Sequence, residues 1–188
     1  EYKKERATDE LPQSSAGRTI MTTEPKFIPE DAVTITVDGT ATLNVRMIDC
    51  VGYIVPSALG YIEDNAPRMV KTPWFDEEVP FNMAAELGTR KVINEHSTIG
   101  LVVTTDGSIT EIPREEYAEA EERVIRELQD IHKPFVVLLT SVNPTSSAAM
   151  QLSADLESRY GVPVMPVNCL ELDEAGIRRV LEKVLFEF

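Results

Sequence analysis

Asp49-Cys50-Val51-Gly52 closes the stretch Leu43-Asn44-Val45-Arg46-Met47-Ile48, whose apolar residues recur with period two. An aspartate at the end of a strand is placed to hold a water of a Mg²⁺ ion. A glycine two or three residues on lets a backbone amide approach a phosphate with no side chain in the way. D-x-x-G also arises by chance, and a turn aspartate ending a strand satisfies the same pattern. Upstream, Thr19-Ile20-Met21-Thr22-Thr23-Glu24-Pro25 offers Thr22 and Thr23. Their hydroxyls suit Mg²⁺ and their backbone suits a γ-phosphate contact; plain loop threonines are the alternative.

A threonine loop, a hairpin and then D-x-x-G is the order of switch I, two edge strands and switch II in GTPase-like nucleoside triphosphatases. Two companion motifs differ. No G-x-x-x-x-G-K-[ST] occurs in the chain, so the lysine and backbone nest that cradle phosphates are expected before residue 1. Where the guanine-reading N-K-x-D follows a strand, this chain has Thr140-Ser141-Val142-Asn143-Pro144. Without the aspartate, guanine N1–H and N2–H lose their acceptor, which opens the site to ATP as well as GTP. Asp49, Thr22 and Thr23 are therefore the catalytic and Mg²⁺-binding candidates, and Gly52, Thr140, Asn143 and Asn168 the nucleotide-binding ones. Tyr53 follows Gly52, so the common position of a water-orienting glutamine is not filled.

The elements that must position these residues read as follows. Val33–Val37 and Leu43–Ile48 alternate around the turn signal Asp38-Gly39, predicting an antiparallel hairpin. Residues 53–82 carry Pro56, Pro67, Pro73 and Pro80 and are expected to be a long irregular insertion, with Trp74 either anchoring it or meeting a partner. Helices are expected over Met83–Glu95, Arg114–Asp130, Ser147–Tyr160 and from Asp173 to about Phe186, with Gly161 ending the third. Strands are expected at Ile99–Val103, Pro134–Leu139 and Val162–Val167, the second continuous and β-branched as a strand buried on both faces is. This alternation predicts a three-layer α/β fold of the P-loop NTPase (GTPase-like) kind: a mostly parallel sheet with the hairpin added as an antiparallel edge, and with the first strand and P-loop lying outside this chain. Residues 1–17 read as a polar lead-in and 18–188 as the domain. Ligands in such folds sit beyond the carboxyl ends of the strands, at the loops opening with Asp49, Thr104, Thr140 and Asn168.

The 188 residues carry a formal charge of −14, which disfavours nucleic acid and anionic lipid as partners of the average surface. No run approaches the ~18 apolar residues of a membrane span, the charged opening Glu1–Glu10 is not expected to be a signal peptide, and the reading is cytosolic. Cys50 and Cys169 are expected to be buried thiols, and His96 and His132 surface or helix-end residues. The pairs Glu115-Glu116 and Glu121-Glu122 are expected on solvated helix faces.

The chain resembles the N-terminal ATPase domain of the stage IV sporulation protein A family. The resemblance is carried in order by Asp9–Ser14, Gly17–Phe27, Asp49–Tyr53, Pro67–Met69, Thr72–Trp74, Gly88–Ile93, Glu95–Gly100 and Glu119–Val124. It implies an ATP- and Mg²⁺-dependent ATPase that polymerises into the basement layer of the spore coat around the forespore. Asp49 would then be the Walker B-type residue, and Thr22 and Thr23 would couple ATP to assembly. The implied partners are further copies of the protein, a small amphipathic membrane-anchoring peptide and other coat proteins, all in the mother-cell cytoplasm. Without the P-loop segment, this chain by itself is expected to bind ATP feebly. A structural assembly module with vestigial nucleotide chemistry and a GTPase-like switch are the alternatives.

Overall fold

A computed structural model describes residues 26–37, 39, 41–72 and 74–186. The chain divides into two compact units. One comprises residues up to Ile54 with Ala58–Ser97, the other Val55–Ser57 with Thr98 onward.

In the first unit, strands β1 (Lys26–Val37) and β2 (Ala41–Asp49) pair antiparallel, from Val37 opposite Ala41 to Lys26 opposite Asp49. The register slips between Ile28 and Val33, the stretch holding Pro29, which has no N–H to give a ladder. The expected attachment of this hairpin to the parallel sheet is not observed. Among the described residues β1 and β2 pair only with each other. Alternation and turn chemistry fix a hairpin's own ladder and leave open which third strand, if any, meets its edges.

The proline-rich segment is more ordered than its composition suggests. Strands β3 (Ile62–Glu63) and β4 (Ala66–Pro67) form a two-residue hairpin, turning through Asp64 and Asn65 at φ of 49° and 60°. Both left-handed positions match the turn that suits strand twist, and short polar residues tolerate them best. Strands β5 (Met69–Val70) and β6 (Val79–Pro80) make a second ladder. Pro80 then precedes helix α1 (Phe81–Lys91), where its missing N–H costs nothing. Val70, Phe81, Ala84 and Ala85 form the core here, with Val51, Ile54, Tyr61 and Val79 packed against it. The Arg68 guanidinium lies 5.0 Å from the Phe81 ring and donates to the Gly60 carbonyl at 3.0 Å. Trp74 is half-buried in the same unit. Helix α1 continues into one π-helical turn, Val92–His96, closed by Ser97 N–H to the Val92 carbonyl.

The second unit contains the parallel sheet β7 (Gly100–Thr105), β8 (Phe135–Thr140) and β9 (Val164–Val167), in that order. Central β8 is buried at every position, which its unbroken apolar sequence requires. Helices α2 (Arg114–Asp130), α3 (Ser147–Tyr160) and α4 (Glu174–Phe186) complete the unit. Val180 and Val184 of α4 pack on Val136 and Leu138 of β8. The ends follow the sequence signals: the Ala149 N–H donates to the Ser146 hydroxyl, the Gly176 N–H to the Asp173 carboxylate, and Gly161 takes the left-handed φ of 65° after α3. The segment 55–57 joins this unit through Ser57, whose N–H and hydroxyl both donate to the Glu116 carboxylate at 2.8 Å. No helix among the described residues is long and apolar enough to cross a membrane.

The expectation that Glu121 lies on a solvated face is overturned. Its side chain is 1% exposed and accepts two bonds from Arg114 Nη2 at 2.8 Å, one from the Thr104 hydroxyl at 2.7 Å and one from the Tyr160 hydroxyl at 3.2 Å. Cys169 is exposed, contrary to expectation, and Cys50 is half-buried. His96 and His132 are both exposed, as expected, with His132 at φ 55° just past α2.

Candidate functional site

Asp49 stands at the last position of β2 with its side chain open to solvent. Partial burial pushes its carboxyl above the ordinary aspartate value, opposed by the Cys50 backbone N–H. A carboxyl raised in the folded state contributes most favourably at low pH, and loses ground as pH rises through the carboxylate range. The Cys50 N–H offsets that burial only in part. Among the described residues no group of three or more His, Cys, Asp or Glu side chains could hold a metal. Asp49 suits the kind of Mg²⁺ site in which one carboxylate is joined by water and phosphate oxygens.

Beyond Asp49 the chain turns through Gly52 at φ 77°, with open space where a Cβ would stand. Its amide already has a partner. Gly52 N–H donates to Thr89 Oγ1 at 3.0 Å, and the Thr89 hydroxyl donates back to the Gly52 carbonyl at 3.2 Å. Thr89 is 2% exposed on α1, so one buried hydroxyl holds both polar groups of the glycine. Burial likewise pushes the Cys50 thiol up, away from thiolate reactivity. Sequence reading missed Thr89, because a threonine 37 residues from the glycine it holds leaves no local signature.

Thr89→Val is expected to lower stability by about 1–3 kcal/mol, since it strands a partly buried donor and acceptor together. It should also speed hydrogen exchange at the Gly52 amide, while Thr89→Ser stays near wild type. Urea denaturation and amide exchange check both; unchanged exchange at Gly52 would remove Thr89 from this role.

In the second unit, the carboxyl ends of the three parallel strands bring another group together. Asp106, Gly107 and Ser108 follow β7, Ser141, Val142 and Asn143 follow β8, and Asn168, Cys169 and Leu170 follow β9. Asp106 accepts from the Ser108 N–H at 2.9 Å and the Ser108 hydroxyl at 2.5 Å, and Val142 N–H donates to Ser108 Oγ at 2.9 Å. Burial raises the Asp106 carboxyl, but hydrogen bonds from the Ser108 and Ser141 side chains and from the backbone outweigh it and hold it below the usual value. Buried Thr140 accepts from the Cys169 N–H at 3.1 Å, fastening the β8 and β9 loops side by side. Asn168 bonds within its own loop, accepting from Leu170 N–H at 3.1 Å.

Of the predicted residues, Asp49 and Gly52 therefore share one loop, while Thr140, Asn143 and Asn168 share one sheet end. Thr22 and Thr23 lie outside the described residues. The Asp106–Ser108 pair was not anticipated, although a polar Asp-Gly-Ser directly after an apolar strand carries that signal.

A profile of the family described as "Stage IV sporulation protein A, ATPase domain" matches residues 1–188. The chain belongs to this family. It is 54% identical over 188 residues to a stage IV sporulation protein A of Bacillus anthracis, and 53% identical over 188 residues to that of Clostridioides difficile strain 630. Over 183 residues it is 51% identical to that of Bacillus subtilis strain 168. These alignments cover 97–100% of this chain but only 37–38% of each relative, so the chain spans under two fifths of their length. No solved structure matches it. The family relationship embraces the Asp49 loop and the β8 and β9 loops alike.

Proposed function

We propose that this chain is the switch-bearing part of a P-loop NTPase-like domain that hydrolyses ATP, in a protein that builds the bacterial spore coat. The observation that carries the reading is the match of the whole chain to a family described as an ATPase domain. The geometry adds support: a solvent-open aspartate ends a strand, and a glycine with an unobstructed α-carbon follows three residues later.

In this reading Asp49 holds a water of the metal ion, and Mg²⁺ when bound neutralises charge developing on the phosphate oxygens. Asp49 would hold and orient that water. Gly52 offers its amide toward the phosphate once Thr89 gives it up, so nucleotide and Thr89 compete for one donor. Thr22 and Thr23 are assigned the coupling of ATP to assembly. The partners are further copies of the protein, a small amphipathic membrane-anchoring peptide and other coat proteins, gathered at the forespore surface in the mother cell.

Asp49→Asn keeps the side chain's size and removes its charge. In the full-length protein it is expected to lower Mg²⁺-dependent ATP turnover by roughly 100-fold or more, the scale of several kcal/mol of metal-borne stabilisation. Phosphate release and sedimentation of polymer measure it. A second reading, an assembly module with vestigial nucleotide chemistry, is favoured by the Gly52 amide already being held. It predicts that Asp49→Asn sediments and turns over like wild type, and that result would end the enzymatic assignment.

A further inference from the structure

A serine hydroxyl has one proton to give and lone pairs to accept with, so whatever takes the proton decides what the oxygen can hold. Two serines beyond the carboxyl ends of β7 and β8 give theirs to one carboxylate. Asp106 accepts from the Ser108 hydroxyl at 2.5 Å, from the Ser108 N–H at 2.9 Å and from the Ser141 hydroxyl. With their protons committed, both oxygens serve as acceptors. Ser108 Oγ takes the Val142 N–H at 2.9 Å, and Ser141 Oγ takes the Asn143 N–H at 3.1 Å. One carboxylate on the β7 loop thus holds two consecutive amides of the β8 loop. Its charge strengthens both chains, because each hydroxyl it polarises becomes the better acceptor.

The loop that carries Asp106 is itself seated firmly. Gly107 turns at φ 88°, and a Cβ there would stand 3.0 Å from the backbone nitrogen of Arg114, the first residue of α2. The Asp106 N–H donates to the Thr140 carbonyl at 3.3 Å, and the Gly107 N–H to the Thr105 hydroxyl at 3.0 Å. From Ser141 the fastening passes on to β9, whose Val167 carbonyl accepts the Ser141 N–H at 2.9 Å. Asp106 therefore stands at the head of a series of bonds that sets the shape of the β8 loop. That loop lies beyond the carboxyl end of the central strand, where parallel sheets take ligands and where sequence order puts a base-reading motif.

We propose that Asp106 is a positioning residue for the nucleotide: through Ser108 and Ser141 it holds residues 141–143 in the shape that receives the nucleoside end of the substrate. The inference rests on the nucleotide-hydrolysing reading above and concerns the seat of the nucleoside, not the identity of its base. Ser108 is exposed, so Ser108→Ala removes the acceptor of the Val142 N–H without opening a cavity. Asp106→Asn keeps the size of the side chain, but it removes the charge and puts a donor where the serine hydroxyls need an acceptor.

The test is isothermal titration of the full-length protein with the Mg²⁺ complexes of a non-hydrolysable ATP analogue and of inorganic tripolyphosphate, which has the phosphates and no nucleoside. Wild type is expected to bind the analogue more tightly. Ser108→Ala and Asp106→Asn should each weaken the analogue by roughly 10-fold, the scale of one hydrogen bond to a charged group, and leave tripolyphosphate unchanged. Ser108→Thr keeps the hydroxyl and should bind like wild type. Equal weakening of both ligands would mean damage to the whole unit and overturns the inference. An unchanged analogue affinity in Ser108→Ala and Asp106→Asn also overturns it, and leaves the nucleotide reading standing. Wild type that binds neither ligand overturns both.

Discussion

Glu121→Ala is expected to destabilise the chain by about 3–5 kcal/mol, among the largest costs a single substitution brings here. Arg114 would be left as a mostly buried cation, and the Thr104 and Tyr160 hydroxyls would each lose an acceptor. The burden is already high. Arg114 Nη2 serves both carboxylate oxygens, and Nη1 is buried without a partner among the described residues. Glu121 also ties three elements of its unit together, since Thr104 belongs to β7, Arg114 to α2 and Tyr160 to α3. Burial, with the nearby Glu121 charge, raises the Tyr160 phenol above its usual value. Urea denaturation measures the loss. The double variant Arg114→Leu/Glu121→Leu removes both charges and should recover most of it. A single variant costing under about 1 kcal/mol, or a double variant no better than the single, would show that the pair is not the binding element of this network.

Phe81→Ala is expected to cost about 3–5 kcal/mol in the first unit. Phe81 is fully buried, and its neighbours Val70, Ala84 and Ala85 are too small or too constrained to close the cavity. The Arg68 guanidinium would lose the ring it lies over. The effect should reach the glycine loop, because Phe81 opens the helix whose far end carries Thr89. Faster exchange at the Gly52 amide in Phe81→Ala, with Phe81→Leu recovering most of the stability, is the expected pattern. A loss below about 1.5 kcal/mol would mean the helix is seated by something other than this core.

Much of the second unit was legible because its elements are set by local pattern. Arg114–Asp130 and Ser147–Tyr160 were anticipated residue for residue, and the strands to within two residues at most ends. Helical spacing of apolar residues and continuous β-branched runs are nearest-neighbour information. The proline-rich segment was not legible, since four prolines signal interruption and cannot show that two-residue ladders form between the interruptions. Glu121 was misread although a signal was present. Arg114, Ala118, Glu121, Ile125 and Leu128 fall on one helical stripe, so the glutamate sits inside the apolar face, two turns from its cation. The adjacent Glu122 made the pair look like a solvated face.

By itself, the sequence determined the chemistry available and its order along the chain: Asp49 at a strand end, Gly52 three residues on, and Asn143 in place of an aspartate. It also determined the helices and strands that carry them, because side-chain type and backbone preference act over a few residues. Only the tertiary structure decided which groups remain available. It gave the Gly52 amide to Thr89, put Glu121 in the interior and fastened Cys169 to Thr140. Those outcomes depend on residues 37, 17 and 29 positions apart meeting at hydrogen-bonding distance, and such meetings are set by how the elements pack.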